Sequence, residues 1–128
     1  MRPPGDMDAK TLALVGVGGA VGAILRHALS VHGPMDFPWG TLTVNLLGSL
    51  LLGGLAALVV AGGASDETML LLGTGVLGAF TTMSAYAVDL VKLVEDGQLD
   101  IAGTYLIATL LGCPTLAYAA WKGVGSLA

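Results

Sequence analysis

Residues 75–86 place glycines and hydroxyl side chains inside a long apolar segment. The sequence there is Gly-Val-Leu-Gly-Ala-Phe-Thr-Thr-Met-Ser-Ala-Tyr, and its hydroxyls come from Thr81, Thr82 and Ser84. Polar groups in hydrocarbon lose free energy unless they find hydrogen-bond partners, so a lipid-facing helix has no use for such a cluster. Broken helices at bilayer depth are tolerated where they line a cavity or bind an ion. The segment therefore indicates a permeation path or an ion site.

The chain around this segment has the composition of a membrane protein. Its 128 residues are 55% hydrophobic and 11% charged. Stretches 37–65, 68–88 and 101–121 contain no charged residue, and each is long enough to cross a hydrocarbon core of about 30 Å at about 1.5 Å per residue. The sequence predicts an all-α membrane protein with a transmembrane domain at 10–123. Its four helices lie at roughly 10–31, 38–62, 68–95 and 100–123, with the third broken, between polar tails at 1–9 and 124–128.

The basic residues near the ends of these spans give little preference for one orientation. Arg2, Lys10 and Lys122 fall on one side of the membrane, and Arg26 and Lys92 fall on the other. Because orientation follows the distribution of Lys and Arg, two interpretations stay open. Insertion in both orientations would permit an antiparallel dimer, whereas Arg2 and Lys10 would otherwise set one orientation.

Small residues in the first predicted helix favour close helix contacts. Gly18 and Gly22 are spaced i, i+4, as are Gly19 and Ala23. Such spacings let helix backbones approach each other in lipid. Since four short helices can hardly enclose an aqueous path alone, the functional unit is expected to be an oligomer.

Polar side chains also stand inside the other predicted helices. Asn45 lies in the middle of the second helix, and Arg26 lies at the end of the first. Tyr105, Thr109 and Cys113 are spaced i, i+4, i+8, which places them on one face of the fourth helix. Each of these is a polar position inside a predicted span.

The sequence excludes several classes of protein. It has no basic patch for nucleic acid, and no Ser/His/Asp arrangement or metal-ligand cluster that would indicate an enzyme. A small proton-coupled drug exporter is an alternative of similar size, but it requires a carboxylate embedded in the membrane. Asp89, toward the end of the third span, is the only candidate within a span.

Three motifs, one per helix, carry a resemblance to a known family. They are Gly-Gly-Ala-Val-Gly-Ala-Ile-Leu-Arg (18–26), Trp-Gly-Thr-Leu-Thr-Val-Asn-Leu-Leu-Gly-Ser (39–49) and Gly-Ala-Phe-Thr-Thr-Met-Ser-Ala-Tyr (78–86). Together, in a four-helix protein of this size, they resemble the Fluc/CrcB family of fluoride-specific ion channels. The resemblance implies a dimer of antiparallel subunits with two narrow pores and a central sodium ion. Such a channel lets cytoplasmic fluoride leave passively across the plasma or inner membrane.

The resemblance also implies a role for each candidate residue. Asn45 would donate to fluoride in the pore, although an Asn inside a bundle also commonly makes a helix–helix hydrogen bond. Arg26 would attract anions in an aqueous vestibule, or simply reach the membrane interface. The backbone carbonyls of Gly78 and Thr81 would bind sodium, although a packing kink at Gly75 and Gly78, with Thr81 bonded back to the helix, is the alternative. The hydroxyls expected along the pore are those of Thr82, Ser84, Tyr105 and Thr109.

One departure from the family pattern concerns two pore positions. The family reads Thr-Thr-Phe-Ser-Thr-Phe, and the edges of its two phenylalanine rings carry the positive density that can face an anion. Here these positions are Met83, which has no ring edge, and Tyr86, which keeps an edge and adds a hydroxyl. Phe80 lies on a different side of the helix. The departure leaves open a heterodimer in which a homologous partner supplies the intact phenylalanines.

Overall fold

The computed structural model describes residues 7–30 and 37–127, and every regular element in those ranges is helical. Four spans are long and apolar enough to cross a membrane: Ala9–Ser30, Trp39–Val60, Asp66–Glu95 and Leu99–Leu127. The prediction of four membrane-spanning helices is confirmed. The last helix continues to Leu127, so residues 124–127 are helical and do not form the expected tail. Of the expected N-terminal tail, residues 1–6, with Arg2, lie outside the described residues.

The third span is broken, as the sequence predicted. The break lies at the hydroxyl residues Thr81 and Thr82 and not at the glycines. The span begins with Asp66–Thr68, continues as a π-helix at Met69–Leu77 and ends its first part with Gly78–Phe80. Thr81 and Thr82 are extended, with ψ of 154° and 115°, and the helix restarts at Met83–Glu95. Gly78 keeps helical dihedral angles, with φ of −62° and ψ of −38°.

The first helix packs along the first part of the third span through glycines. A Cβ atom on Gly18 would collide with the carbonyl oxygen of Leu71 and would lie 3.0 Å from the Cα atom of Gly75. A Cβ atom on Gly22 would collide with the carbonyl oxygen of Val76. Gly18 and Gly22 are therefore required by the close approach of two backbones, as their spacing predicted.

The second and fourth helices form the other closely packed pair. A Cβ atom on Gly53 would lie 2.7 Å from the Cα atom of Ala117, so these two backbones also touch. Val44 and Tyr105 are completely buried elsewhere along these helices, Val44 in a cluster with Leu77 and Phe80 and Tyr105 in a cluster with Leu42 and Tyr86. By contrast, a Cβ atom on Gly19 would have no neighbour within 4 Å, so the second predicted pair of small residues is not used within this chain.

Contacts at the helix ends show the relative directions of the spans. Lys10 Nζ lies 2.7 Å from Glu67 Oε1, so the first and third spans begin at the same end of the bundle. Both side chains are exposed, and such pairs add little stability. Gly97 has a φ of 75°, and Gln98 N–H donates to the Leu93 carbonyl at 2.9 Å, which closes the third span with a Schellman motif.

Candidate functional site

Asn45 holds the break in the third span. Its Nδ2 donates to the Thr82 carbonyl at 3.1 Å, and its Oδ1 accepts from the Thr82 N–H at 2.8 Å. The two bonds satisfy both backbone groups of an extended residue that has left the helix, and an unpaired backbone group at this depth would cost free energy. Asn45 is only 7% exposed. The helix–helix hydrogen bond considered for Asn45 is therefore present, and one of its two amide hydrogens is used by it.

Thr82 also restarts the helix after the break. Its hydroxyl accepts from Ala85 N–H at 3.1 Å, which makes Thr82 the N-cap of Met83–Glu95. The same hydroxyl lies 3.2 Å from Ser84 Oγ. Ser84 is exposed and is not among the residues that line the cleft described next. The predicted contact of Ser84 with a permeating ion stays a prediction.

A cleft of about 290 Å³ opens beside the break, between the second, third and fourth spans. It brings together five of the residues predicted to line a pore. Its walls are formed by Asn45, Ser49, Thr81, Thr82, Met83, Tyr86, Thr109, Leu110, Cys113 and Pro114. None of these described residues carries a formal charge, so the polar groups of the cleft are amides, hydroxyls and one thiol.

Three cleft residues were not predicted to line a pore. Ser49 lies four residues after Asn45 and hence on the same face of the second helix, and that spacing was the available signal. Leu110 and Pro114 extend the wall on the fourth helix, which stays continuous through Pro114. Since Pro114 has no N–H, the Leu110 carbonyl lacks its usual donor four residues on.

Tyr105 lies behind the cleft and not on its wall. The side chain is completely buried, and its hydroxyl donates to Asp89 Oδ2 at 3.0 Å. Its ring meets Tyr86 edge-on, with centroids 5.1 Å apart. The predicted stripe on the fourth helix is thus divided, because Thr109 and Cys113 reach the cleft while Tyr105 supports the Tyr86 ring from behind. A direct contact of Tyr105 with an ion stays a prediction.

Arg26 reaches from the first helix to the turn just before the break. Its Nε donates to the Ala79 carbonyl at 3.1 Å, and the side chain is half-buried. The extended backbone at 81–82 deprives this carbonyl of its usual donor from Met83, so the guanidinium takes that place. A packing role for Arg26 is therefore present in the structure, and its predicted role in a vestibule stays a prediction.

The break also redirects the donors that Gly78 and Thr81 would normally meet. In a continuous helix, their carbonyls would accept from the N–H groups of Thr82 and Ala85. Thr82 N–H donates instead to Asn45 Oδ1, and Ala85 N–H donates to Thr82 Oγ1. The Thr81 hydroxyl bonds back to the Leu77 carbonyl at 3.1 Å. The backbone oxygens of Gly78 and Thr81 thus lose these two helical donors at the break, as the Ala79 carbonyl loses the donor from Met83.

These features define a small polytopic membrane protein with an uncharged, hydrogen-bonding cleft beside a broken span. Residues 13–123 match the family described as CrcB-like protein, Camphor Resistance (CrcB), and the chain belongs to that family. The resemblance carried by the three motifs is confirmed.

Similar proteins come from several bacteria. The protein named Fluoride-specific ion channel FluC from Hyphomonas neptunium is 44% identical over 115 residues, which cover 84% of this chain and 91% of the relative. A protein of the same name from Agrobacterium fabrum is 46% identical over 106 residues, which cover 78% of this chain and 84% of the relative. The names describe channels and not enzymes, in agreement with the sequence-based expectation.

Proposed function

We propose that this protein is a fluoride-selective passive channel that releases cytoplasmic fluoride down its electrochemical gradient. The observation that carries the proposal is the cleft at the break, where Asn45, Thr82, Tyr86 and Thr109 stand together at membrane depth. The names of the CrcB relatives identify fluoride as the ion. A small, strongly hydrated anion that leaves water needs fixed hydrogen-bond donors, and amides and hydroxyls provide them.

Conduction through this cleft needs no proton-coupled step. The described residues that line it include no carboxylate, and Asp89 accepts a hydrogen bond from Tyr105 outside it. Fluoride enters a cell as the neutral acid in acidic media and becomes trapped as the ion at cytoplasmic pH. The negative-inside membrane potential then drives the anion outward through a passive path. The proton-coupled exporter receives no support from this arrangement.

An antiparallel homodimer is the assembly that we propose. Met83 is 70% exposed, and Ser84, whose hydroxyl pairs with that of Thr82, is exposed beside it. Polar groups at this depth are unfavourable against lipid. We therefore expect a second copy of the chain to pack against this face. The nearly even distribution of Lys and Arg between the two sides is compatible with insertion in both orientations.

A structural sodium ion is part of the same proposal. Among the described residues, no three His, Cys, Asp or Glu side chains come together, so a cation at the break would be held by backbone oxygens. The Gly78 and Thr81 carbonyls fit this role, because their helical donors are taken by Asn45 and Thr82. Two oxygen ligands are too few for a hard cation. In a dimer with a two-fold axis, the second copy would contribute the same two carbonyls, which gives four ligands. Bound there, sodium would offset the repulsion among carbonyl oxygens that the two copies would bring together.

Fluoride efflux from liposomes that contain only the purified chain tests the function. With chloride trapped as a control, we expect rapid loss of fluoride and retention of chloride, because the donors are fixed in a narrow cleft. A leak of both ions would contradict selectivity. No fluoride loss from a well-folded dimer would contradict the homodimeric channel and favour the heterodimer, in which Met83 marks a chain that needs a homologous partner.

Sodium dependence tests the proposed metal separately. We expect protein purified and reconstituted without sodium, in N-methyl-D-glucamine salts, to conduct fluoride poorly and to recover when sodium is returned. Thr81→Val should keep this dependence, because the proposed ligand is the carbonyl and the hydroxyl is already bonded to Leu77. Equal efflux with and without sodium would argue against the ion.

A further inference from the structure

Two hydroxyls in the cleft are buried and have no partner among the described residues. They are the Tyr86 hydroxyl and Thr109 Oγ1. Tyr86 is 5% exposed and Thr109 is 7% exposed, and both line the cleft. A buried hydroxyl without a hydrogen bond is costly, and the great majority of buried polar groups have a partner. These two groups, one from each of two spans, therefore indicate a ligand.

Comparable hydroxyls elsewhere in the bundle have hydrogen-bond partners, unlike this pair. Thr81 and Thr104 bond back to the preceding turn, at 3.1 Å and 2.9 Å. That is the usual solution for a helical Thr in a membrane. Thr109 does not adopt it. Tyr105 gives its hydroxyl to Asp89, whereas the neighbouring Tyr86 has no such acceptor.

Three side chains of the cleft have hydrogen-bond donors that no described residue uses. Asn45 Nδ2 gives one of its two amide hydrogens to the Thr82 carbonyl, so the other is left to donate. Tyr86 and Thr109 can each donate one O–H, and no described lining residue is a carboxylate that would accept it. Free donors on three side chains, with no described lining carboxylate to repel an anion, suit a ligand that accepts hydrogen bonds and carries negative charge.

We propose that the Tyr86 and Thr109 hydroxyls together form a two-donor binding site for fluoride within the cleft. The proposal rests on the proposed channel function and deepens it. It gives Tyr86 a role that a phenylalanine ring edge does not provide, because the bound anion is met by the phenolic O–H. Tyr105 and Asp89 act behind it as positioning residues, since the Tyr105 ring packs against Tyr86 and its hydroxyl is held by Asp89.

Near-ultraviolet difference spectroscopy of the purified protein tests the site, because a tyrosine that begins to donate to an anion absorbs at longer wavelength. We expect fluoride, at constant ionic strength, to produce a saturable red shift that chloride does not produce. Tyr86→Phe should abolish the shift. Tyr118→Phe is the matched control, since Tyr118 is 64% exposed near the end of the fourth helix, and it should leave the shift intact.

Thr109 variants test the second donor, because the absorbance shift of Tyr86 still reports fluoride binding in them. Thr109→Val keeps the shape of the side chain but removes the hydroxyl, and it should raise the half-saturating fluoride concentration about tenfold, as expected for one hydrogen bond to an ion. Thr109→Ser keeps the hydroxyl and should restore the wild-type value. A merely structural role for Thr109 would not produce this pattern.

The outcomes separate this site from the channel function itself. If the wild-type protein conducts fluoride but shows no fluoride-dependent tyrosine shift, the two-donor site is wrong and the channel stands. A shift that survives Tyr86→Phe, or a Thr109→Val protein with unchanged half-saturation, also overturns the site. Absence of fluoride flux, with the tyrosine shift present, contradicts the channel and leaves the binding site supported.

Discussion

Asn45→Ala is expected to lower fluoride flux at least about 100-fold and the free energy of unfolding by about 2–4 kcal/mol. The substitution removes both hydrogen bonds that Asn45 makes to the Thr82 backbone. It leaves an N–H and a carbonyl without partners at membrane depth, at a cost of about 1–3 kcal/mol each. Because these bonds hold the extended residue in place, the wall of the cleft should shift with them. Fluoride efflux and thermal unfolding of the same preparation measure the two effects.

Two further variants make the Asn45 prediction specific. Ser49→Ala alters the same cleft four residues along the second helix, and it should change unfolding little because no hydrogen bond to the break is lost. Asn45→Asp keeps an acceptor for the Thr82 N–H but puts a carboxylate against the Thr82 carbonyl, so it should also abolish flux. Near-normal flux and stability in Asn45→Ala would show that the break does not depend on this side chain.

Gly22→Val is expected to separate the first helix from the third span. A Cβ atom on Gly22 would collide with the backbone of Val76, and backbone cannot move aside as a side-chain end can. Overpacking of this kind costs about 1–3 kcal/mol or more. We therefore expect a large loss of folded protein and of flux, which size-exclusion chromatography and thermal unfolding would record.

Gly16→Val is the matched control for Gly22→Val. Gly16 lies on the same helix and is exposed, and a Cβ atom there would have no neighbour within 4 Å. It should leave the fold of the chain unchanged. Equal behaviour of the two variants would contradict the account that close backbone contact at Gly22 joins the first and third spans.

The spans and much of the cleft could be predicted from the sequence because their signals are local. Uncharged stretches of membrane length gave four helices, and the i, i+4 spacing of Gly18 and Gly22 gave a real backbone contact. The hydroxyl cluster at Thr81 and Thr82 marked the break itself. In each case the predictive signal stood within one stretch of the chain, although the partner that completes the contact did not.

The features that could not be predicted depend on partners distant in sequence. The hydrogen bonds of the Asn45 side chain require the backbone of Thr82, 37 residues away. The hydrogen bond of Arg26 requires the Ala79 carbonyl, 53 residues away. Helical spacing placed Tyr105 on the face of Thr109, but its bond to Asp89 holds it behind the cleft. Spacing defines a face of a helix, whereas burial depends on which neighbour covers it.

Covalent modification of Cys113 tests most directly whether fluoride passes through this cleft. Cys113 is the only cysteine in the chain and lies half-buried in the cleft wall. Methyl methanethiosulfonate attaches a small group to its thiol, and Cys113→Ser provides the unreactive control. The account predicts that modification reduces fluoride efflux to the level of protein-free liposomes, that dithiothreitol restores it, and that Cys113→Ser is unaffected by the reagent. Complete modification, verified by mass spectrometry, with unchanged efflux would contradict it.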